Sequence, residues 1–337
     1  MKAEGMKGCL KTKRAFTLVE LLVVIGIISV LMGIMLGTVL SGTDSARAAK
    51  CLSNMRNLAQ AAIATANRDA NYSHYPAAGS YATIEIDGST GKPYCQENRG
   101  WISWLSTSDP YHTRTTGVKP ASFVKVNEAS AFEQDEEKAL FAITNGTLWK
   151  AMGGNLDSYR CPSHAILAKK HGVNLRWSYV MNAYFGYDQS EGSDVCAPSR
   201  CSPAGLIRKD RVLLFAELPF AISGACDSAN KVDEGTAYAT GENNAMLDCT
   251  LQYKASYNGR SYNNDYGGTA EAIAFNHKSG KSYCAHVAFA DGHVEKLILP
   301  KDGSGLTSVQ LTALLCEGVD VAYDGKGYSL ITDGDKN

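Results

Sequence analysis

Residues 14–40 read R-A-F-T-L-V-E-L-L-V-V-I-G-I-I-S-V-L-M-G-I-M-L-G-T-V-L. From Phe16 to Leu40 this is a 25-residue apolar run broken by a single charge, Glu20. A helix of about 20 apolar residues spans the hydrocarbon core of a bilayer, so the run is long enough to cross one. An acid inside such a span costs a few kcal/mol and marks a functional position. The leader before it, residues 1–15, carries Lys2, Lys7, Lys11, Lys13 and Arg14 against Glu4. By the positive-inside rule that charge bias holds the N-terminus in the cytoplasm and sends the rest outward.

A secretory signal peptide has a shorter apolar core ending at a small-residue cleavage site, and an acid here is misplaced for one. A plain single-pass anchor tolerates the leader but gives no reason for Glu20. Lys13-Arg14-Ala15 followed by Phe16-Thr17-Leu18-Val19-Glu20-Leu21-Leu22 resembles the cleavage and methylation segment of type IV prepilins and type II secretion pseudopilins. The resemblance implies cleavage between Ala15 and Phe16 by a membrane-embedded prepilin peptidase, then methylation of the Phe16 amine. One departure is Ala15, where the family usually has glycine. The resemblance also implies that Glu20 pairs with the N-terminal amine of a neighbouring subunit. An acid and an amine that neutralise each other in apolar surroundings are far cheaper than either alone.

The helical pattern continues past the run. Leu52, Met55, Ala59, Ala62 and Ala66 fall at spacings of 3 and 4, one stripe of an amphipathic helix. Arg47, Lys50, Arg56, Asn57, Gln60 and Arg68 occupy the remaining face. The helix is expected to extend from Phe16 to about Asn71, with a local break possible at Ser41-Gly42-Thr43 and a restart capped by Asp44. Gly33 and Gly37 form a G-x-x-x-G pair, read either as a close-approach face or as the ordinary glycine content of membrane helices. Local melting around them is a third reading.

The rest of the chain is long enough for one sizeable core or two small ones. With 33 basic and 34 acidic residues, no nucleic-acid partner is expected. Tyr81–Ile86, residues 101–105 and 212–218 read as strands, and residues 133–145 as a short helix closed by Asn145-Gly146. Residues 285–299 alternate around Asp291-Gly292 and read as a hairpin. Cys161-Pro162-Ser163, Ser178-Tyr179-Val180-Met181-Asn182 and His277…Asp291-Gly292-His293 resemble landmarks of large-headed bacterial pilin-like proteins. They identify relatives better than chemistry and are read as structural.

No metal or other cofactor is expected. His277, Cys284, His286, Asp291 and His293 are ligand-capable types, but their spacing matches no zinc pattern and alternate strand positions face opposite sides. Asp320, Asp324, Asp333 and Asp335 hint at calcium without a recognisable ligand order, and solvated turns account for them better. With no G-x-S-x-G, H-E-x-x-H or phosphate-loop signature, enzymatic activity is not expected. Nine cysteines follow the leader's Cys9. In an oxidising compartment two to four disulfides are expected, Cys196 with Cys201 and Cys226 with Cys249, leaving Cys51 as an odd thiol. Reduced buried thiols are the rival account.

These readings imply an α+β, pilin-like chain: leader 1–15, membrane and methylation segment 16–40, amphipathic stem 41–71, and a β-rich head 72–337 outside a single-pass inner-membrane anchor. The stem would pack on an antiparallel sheet with large loop insertions. Its partners would be the prepilin peptidase, other pilin or pseudopilin subunits, and inner-membrane lipid. The function expected is that of a pseudopilin in a type II secretion-like machine. A surface minor pilin binding a polymer such as polysaccharide is the alternative, and an anchored enzyme a more distant one.

Overall fold

A computed structural model describes residues 17–68, 74–78, 81–86, 89, 93–98, 100–102, 104–105, 124–125, 140, 142–170, 177–185, 206, 208–217, 250–251, 253–257, 260–264, 272–279, 282–299 and 305–331. The chain divides into two units, Met1–Ala46 and Arg47–Asn337. Helix α1, Leu18–Ala66, contributes residues to both. It runs through Ser41-Gly42-Thr43 without the break the sequence suggested. One interior glycine costs about 1 kcal/mol, and no proline removes a hydrogen bond. The last turn tightens as Arg68 N–H donates to Thr65 O, so the helix stops short of Asn71.

The first turn is closed by a reciprocal cap. Thr17 N–H and Thr17 Oγ1 each donate to Glu20 Oε2 at 2.8 Å, while Glu20 N–H donates to Thr17 Oγ1 at 3.2 Å. This is a capping box, T-x-x-E, which satisfies donors a helix start otherwise leaves open. Further along, the Ser29 hydroxyl donates to Ile25 O, so the polar atom inside the apolar run is satisfied within the helix. Every large apolar side chain from Leu18 to Met32 is exposed, from 43% at Ile28 to 79% at Leu18. Among the described residues no helix is long and apolar enough to cross a membrane, and the described side chains of this run end at Gly33.

In the second unit α1 buries Cys51, Asn54, Met55, Leu58, Ala59, Ala62 and Ala66. Lys50, Arg56, Asn57, Gln60 and Arg68 face solvent, as the periodicity predicts. Leu52 is only partly buried, because the inward face is centred nearer Cys51 and Leu58.

Strands β1 (Tyr81–Ile86) and β2 (Pro93–Asn98) pair antiparallel, and β3 (Trp104–Leu105) pairs parallel with β4 (Val124–Lys125). A 3-10 turn, Leu156–Tyr159, leads into α2, Pro162–Lys170, which begins with proline at its first position. The main sheet is built from β5 (Tyr179–Asn182), β6 (Leu213–Glu217), β7 (Thr250–Leu251), β10 (His277–Ser279), β11 (Ser282–Phe289) and β12 (Val294–Ile298), in the order β10-β11-β6-β5-β7, with β12 also on β11. Between β7 and β10 the chain forms the hairpin of β8 (Tyr253–Tyr257) and β9 (Arg260–Asn264). All the main-sheet pairings are antiparallel except β5 with β7. Helix α3, Ser308–Cys316, starts with a second capping box, Thr307 and Gln310. Strands β13 (Val321–Tyr323) and β14 (Tyr328–Leu330) close the described chain. The chain is therefore α+β, a long N-terminal helix with an antiparallel sheet, as the sequence predicts.

Both β5 and β6 are buried at every position, as expected of interior strands. The predicted hairpin is β11 and β12, with Ala288 opposite Val294 and Gly292 at φ +94° in the turn. Of the helix expected over 133–145, residues 140 and 142–144 are helical while 133–139 and 141 lie outside the described residues, and the chain turns at Gly146, where a Cβ would clash with Trp101 O. The core centres on Trp101, stacked on Tyr159 at 6.0 Å and edge-on to Phe215 at 5.2 Å.

Of the aspartates considered for calcium, Asp320 is buried and paired with Arg208 and Arg211. Asp324 accepts the backbone N–H groups of Lys326 and Gly327 in a turn. Asp333 and Asp335 lie outside the described residues.

Candidate metal centre

Four elements of the Arg47–Asn337 unit each deliver one ionisable side chain to a single buried spot. Cys51 comes from the inward face of α1. Cys161 directly precedes α2, where its carbonyl accepts the first helical bond from Ala165 N–H. Glu217 ends β6 and His277 begins β10. Their ligand atoms all lie within 4.8 Å of one another. Cys51 Sγ donates to Glu217 Oε1 at 3.3 Å, His277 Nε2 stands 3.1 Å from the same oxygen, and Cys161 Sγ is 3.5 Å from His277 Nε2. Exposure is 0% for Cys51, Cys161 and Glu217 and 2% for His277.

A ring of further contacts orients these groups. His286, on β11, donates its backbone N–H to Glu217 Oε1 at 2.8 Å and places Nδ1 at 3.1 Å from it. Its ring lies 4.7 Å from that of His277. Tyr179 donates its hydroxyl to Cys51 Sγ, and Ser178 Oγ accepts the Cys161 N–H at 2.8 Å. Asn54, one turn along α1 from Cys51, donates to Asp157 O and Arg160 O and so ties the segment before Cys161 to the helix.

Burial disfavours the charged form of every member, and the electrostatics are decided by what opposes it. For Glu217, burial is outweighed by the charge and hydrogen bond of His277 and by His286, and its carboxyl is held well below the usual carboxylate range. Burial likewise works against the His277 imidazolium, but Glu217 and Cys161 raise it to about 10. The Cys161 thiol falls to about 6, since hydrogen bonds with Cys51 and His277 overcome its desolvation. Cys51 is pushed well above the ordinary thiol range by burial and by the neighbouring Cys161 and Glu217. His164 is lowered to about 4 by burial, with the charge of His277 acting in the same direction.

A cysteine, a histidine and a carboxylate suggest nucleophilic catalysis, but the geometry differs from a triad. In a triad the base meets the nucleophile through one ring nitrogen and the orienting acid through the other. Here Nε2 of His277 faces both Cys161 and Glu217, and Nδ1 has no hydrogen-bond partner among the described residues. The sulfur is also sealed from solvent. What the arrangement offers is two sulfurs, an imidazole nitrogen and a carboxylate oxygen converging on one point.

The residues singled out in the sequence distribute unevenly over this centre. Cys161, Ser178, Tyr179 and His277, from three separate landmarks, converge on it. Asn182 does not touch it, but donates to Leu213 O and Cys316 O and accepts from Tyr184 N–H, which makes it a structural clamp. Asp291 and His293 sit at the β11–β12 turn, where His293 stacks on Phe289 at 4.4 Å. Cys284 lies opposite His277 in the register, buried outside the cluster, and burial raises its thiol to about 11. Sequence reasoning missed Cys51 and Glu217 as site residues. The available signal for Glu217 was an acid inside the buried strand pattern V-L-L-F-A-E-L.

The expected disulfides find no support. Among the described residues Cys51, Cys161, Cys284 and Cys316 are buried free thiols. The pairs Cys196–Cys201 and Cys226–Cys249 lie outside the described residues, as do Ala15 and Phe16.

No curated protein and no protein of solved structure matches the chain. The prokaryotic N-terminal methylation motif matches residues 10–36, which take in Ala15, Phe16 and Glu20. Over that segment the chain is type IV prepilin-like.

Proposed function

We propose that the chain is a pseudopilin of a type II secretion-like machine, anchored in the inner membrane by residues 16–40 and assembled with like subunits into a short fibre. Its role is mechanical, with no catalytic step in the Arg47–Asn337 unit. The methylation motif over residues 10–36 carries this reading. The continuous apolar exposure from Leu18 to Met32 supports it, because a helix apolar on every side needs lipid or other helices around it. In this reading prepilin peptidase cleaves between Ala15 and Phe16 and the Phe16 amine is methylated. Mass spectrometry of the chain from its native membrane should find a terminus at methylated Phe16, and an intact Met1 terminus would overturn the assignment.

Glu20 has two roles to separate. Both cap bonds from Thr17 fall on Oε2, which leaves Oε1 to meet the amine of a neighbouring subunit. Glu20→Ala removes cap and charge together. Glu20→Gln keeps a capping-box residue but cannot form the ion pair. Both variants are expected to insert and be processed yet fail to enter the fibre, as measured by crosslinking between subunits. Normal assembly of Glu20→Gln would reduce the residue to a helix cap.

A further inference from the structure

We propose that Cys51, Cys161, Glu217 and His277 bind one zinc ion, which staples α1, the start of α2 and the main sheet together. The inference does not depend on the fibre reading. Its first support is the donor set. Two sulfurs, an imidazole nitrogen and a carboxylate oxygen form a four-ligand set of the kind zinc takes, and thiolates disfavour magnesium and calcium.

The second support is metric. With ordinary zinc bond lengths, a tetrahedron has edges of about 3.6 Å from sulfur to nitrogen or oxygen and about 3.4 Å from nitrogen to oxygen. The corresponding separations are 3.3 Å for Cys51 to Glu217, 3.5 Å for Cys161 to His277 and 3.1 Å for His277 to Glu217. Three of the six edges thus lie within about 0.3 Å of the required lengths, and all four ligand atoms, from four elements, stand within 4.8 Å of one another.

The third support is hydrogen-bond accounting. His277 Nε2 carries at most one proton, yet faces both a sulfur and a carboxylate oxygen. Glu217 Oε2 is buried with no hydrogen-bond partner among the described residues. A central cation takes a lone pair from each ligand and removes the competition. The outer contacts are of the type that fixes metal ligands: Tyr179 on Cys51, Ser178 on the Cys161 backbone, and His286 on Glu217. Full burial with four protein ligands leaves no open coordination position, which places the ion in the structural class. On binding, the two thiols and the His277 Nε2 position give up whatever protons they carry to solvent. Coordination also protects the two thiols. In an oxidising compartment an adjacent pair otherwise closes to a disulfide.

The test uses the full chain, purified from membranes in mild detergent. Elemental analysis by plasma mass spectrometry is expected to find one zinc per chain; zinc at background overturns the proposal. So does a Cys51–Cys161 linked peptide in a non-reducing digest. Chain produced in cobalt-supplemented medium should show the thiolate-to-cobalt charge-transfer band and intense visible bands of a tetrahedral site, and weak six-coordinate bands with no charge transfer overturn it. This measurement on the unaltered chain holds even where variants fail to fold. Cys161→Ser should lower the charge-transfer intensity by roughly half or abolish binding. Cys284→Ser, a buried cysteine outside the cluster, should leave it unchanged. The reverse pattern would refute the ligand assignment.

Discussion

Trp101→Ala is expected to remove about 3–5 kcal/mol from the stability of the Arg47–Asn337 unit, the range for deleting a buried aromatic side chain. Trp101 is fully buried and forms the hub of an aromatic cluster, stacked on Tyr159 and edge-on to Phe215. Tyr159 itself is fully buried, and that burial pushes its hydroxyl well above the normal range. The neighbouring backbone resists collapse into the cavity, because Trp101 N–H is fixed to Ala77 O and the backbone at Gly146 packs too close to Trp101 O to admit even a Cβ. Urea unfolding followed by circular dichroism checks it. A loss below about 1 kcal/mol would mean that the cluster repacks freely, against the close packing argued for it. The damage should also spread to Cys161, two residues beyond Tyr159.

The second large effect is expected from Asn182→Asp, a substitution that hardly changes shape. The Asn182 amide donates to Leu213 O at 2.8 Å and Cys316 O at 3.0 Å and is fully buried. An ionised carboxylate in its place faces two carbonyl oxygens and withdraws the bond that each accepts from the amide, at about 1–3 kcal/mol each. Only the protonated acid can restore one bond, so the folded state raises the pKa of the new group above its unfolded value near 3.9. The folded chain then binds more protons than the unfolded one, and the variant's stability rises as pH falls. Denaturation midpoints at two pH values test this. A variant as stable as the parent at neutral pH, or one that gains stability with rising pH, contradicts the clamp.

Much of the architecture was legible wherever pattern and turn chemistry agreed. The β11–β12 hairpin followed from partial alternation around the Asp291-Gly292 turn, and the buried face of α1 from spacings of 3 and 4. Helices α2 and α3 escaped notice although each is announced locally, α2 by Pro162 at its first position and α3 by Thr307 with Gln310. The same T-x-x-E/Q device around Thr17 was overlooked because Glu20 already had a functional reading. The metal centre was legible only in part. Cys161, Tyr179 and His277 stood out as landmarks, but their convergence with Cys51 and Glu217 is set by sheet order and helix docking, which no local spacing encodes. Glu20 and Glu217 pose the same question, an acid inside an apolar stretch.

Glu217 also carries a consequence for the order in which the chain folds. Its charge is held by His277 and His286, which lie 60 and 69 residues later in the chain. Until β10 and β11 arrive, β6 cannot go into the interior without stranding a carboxylate, so its docking is disfavoured in a chain still emerging. Contacts this distant in sequence form late, after the loop-closure entropy between them has been overcome. The buried acid thus acts as a checkpoint, keeping the sheet open until its C-terminal strands are present.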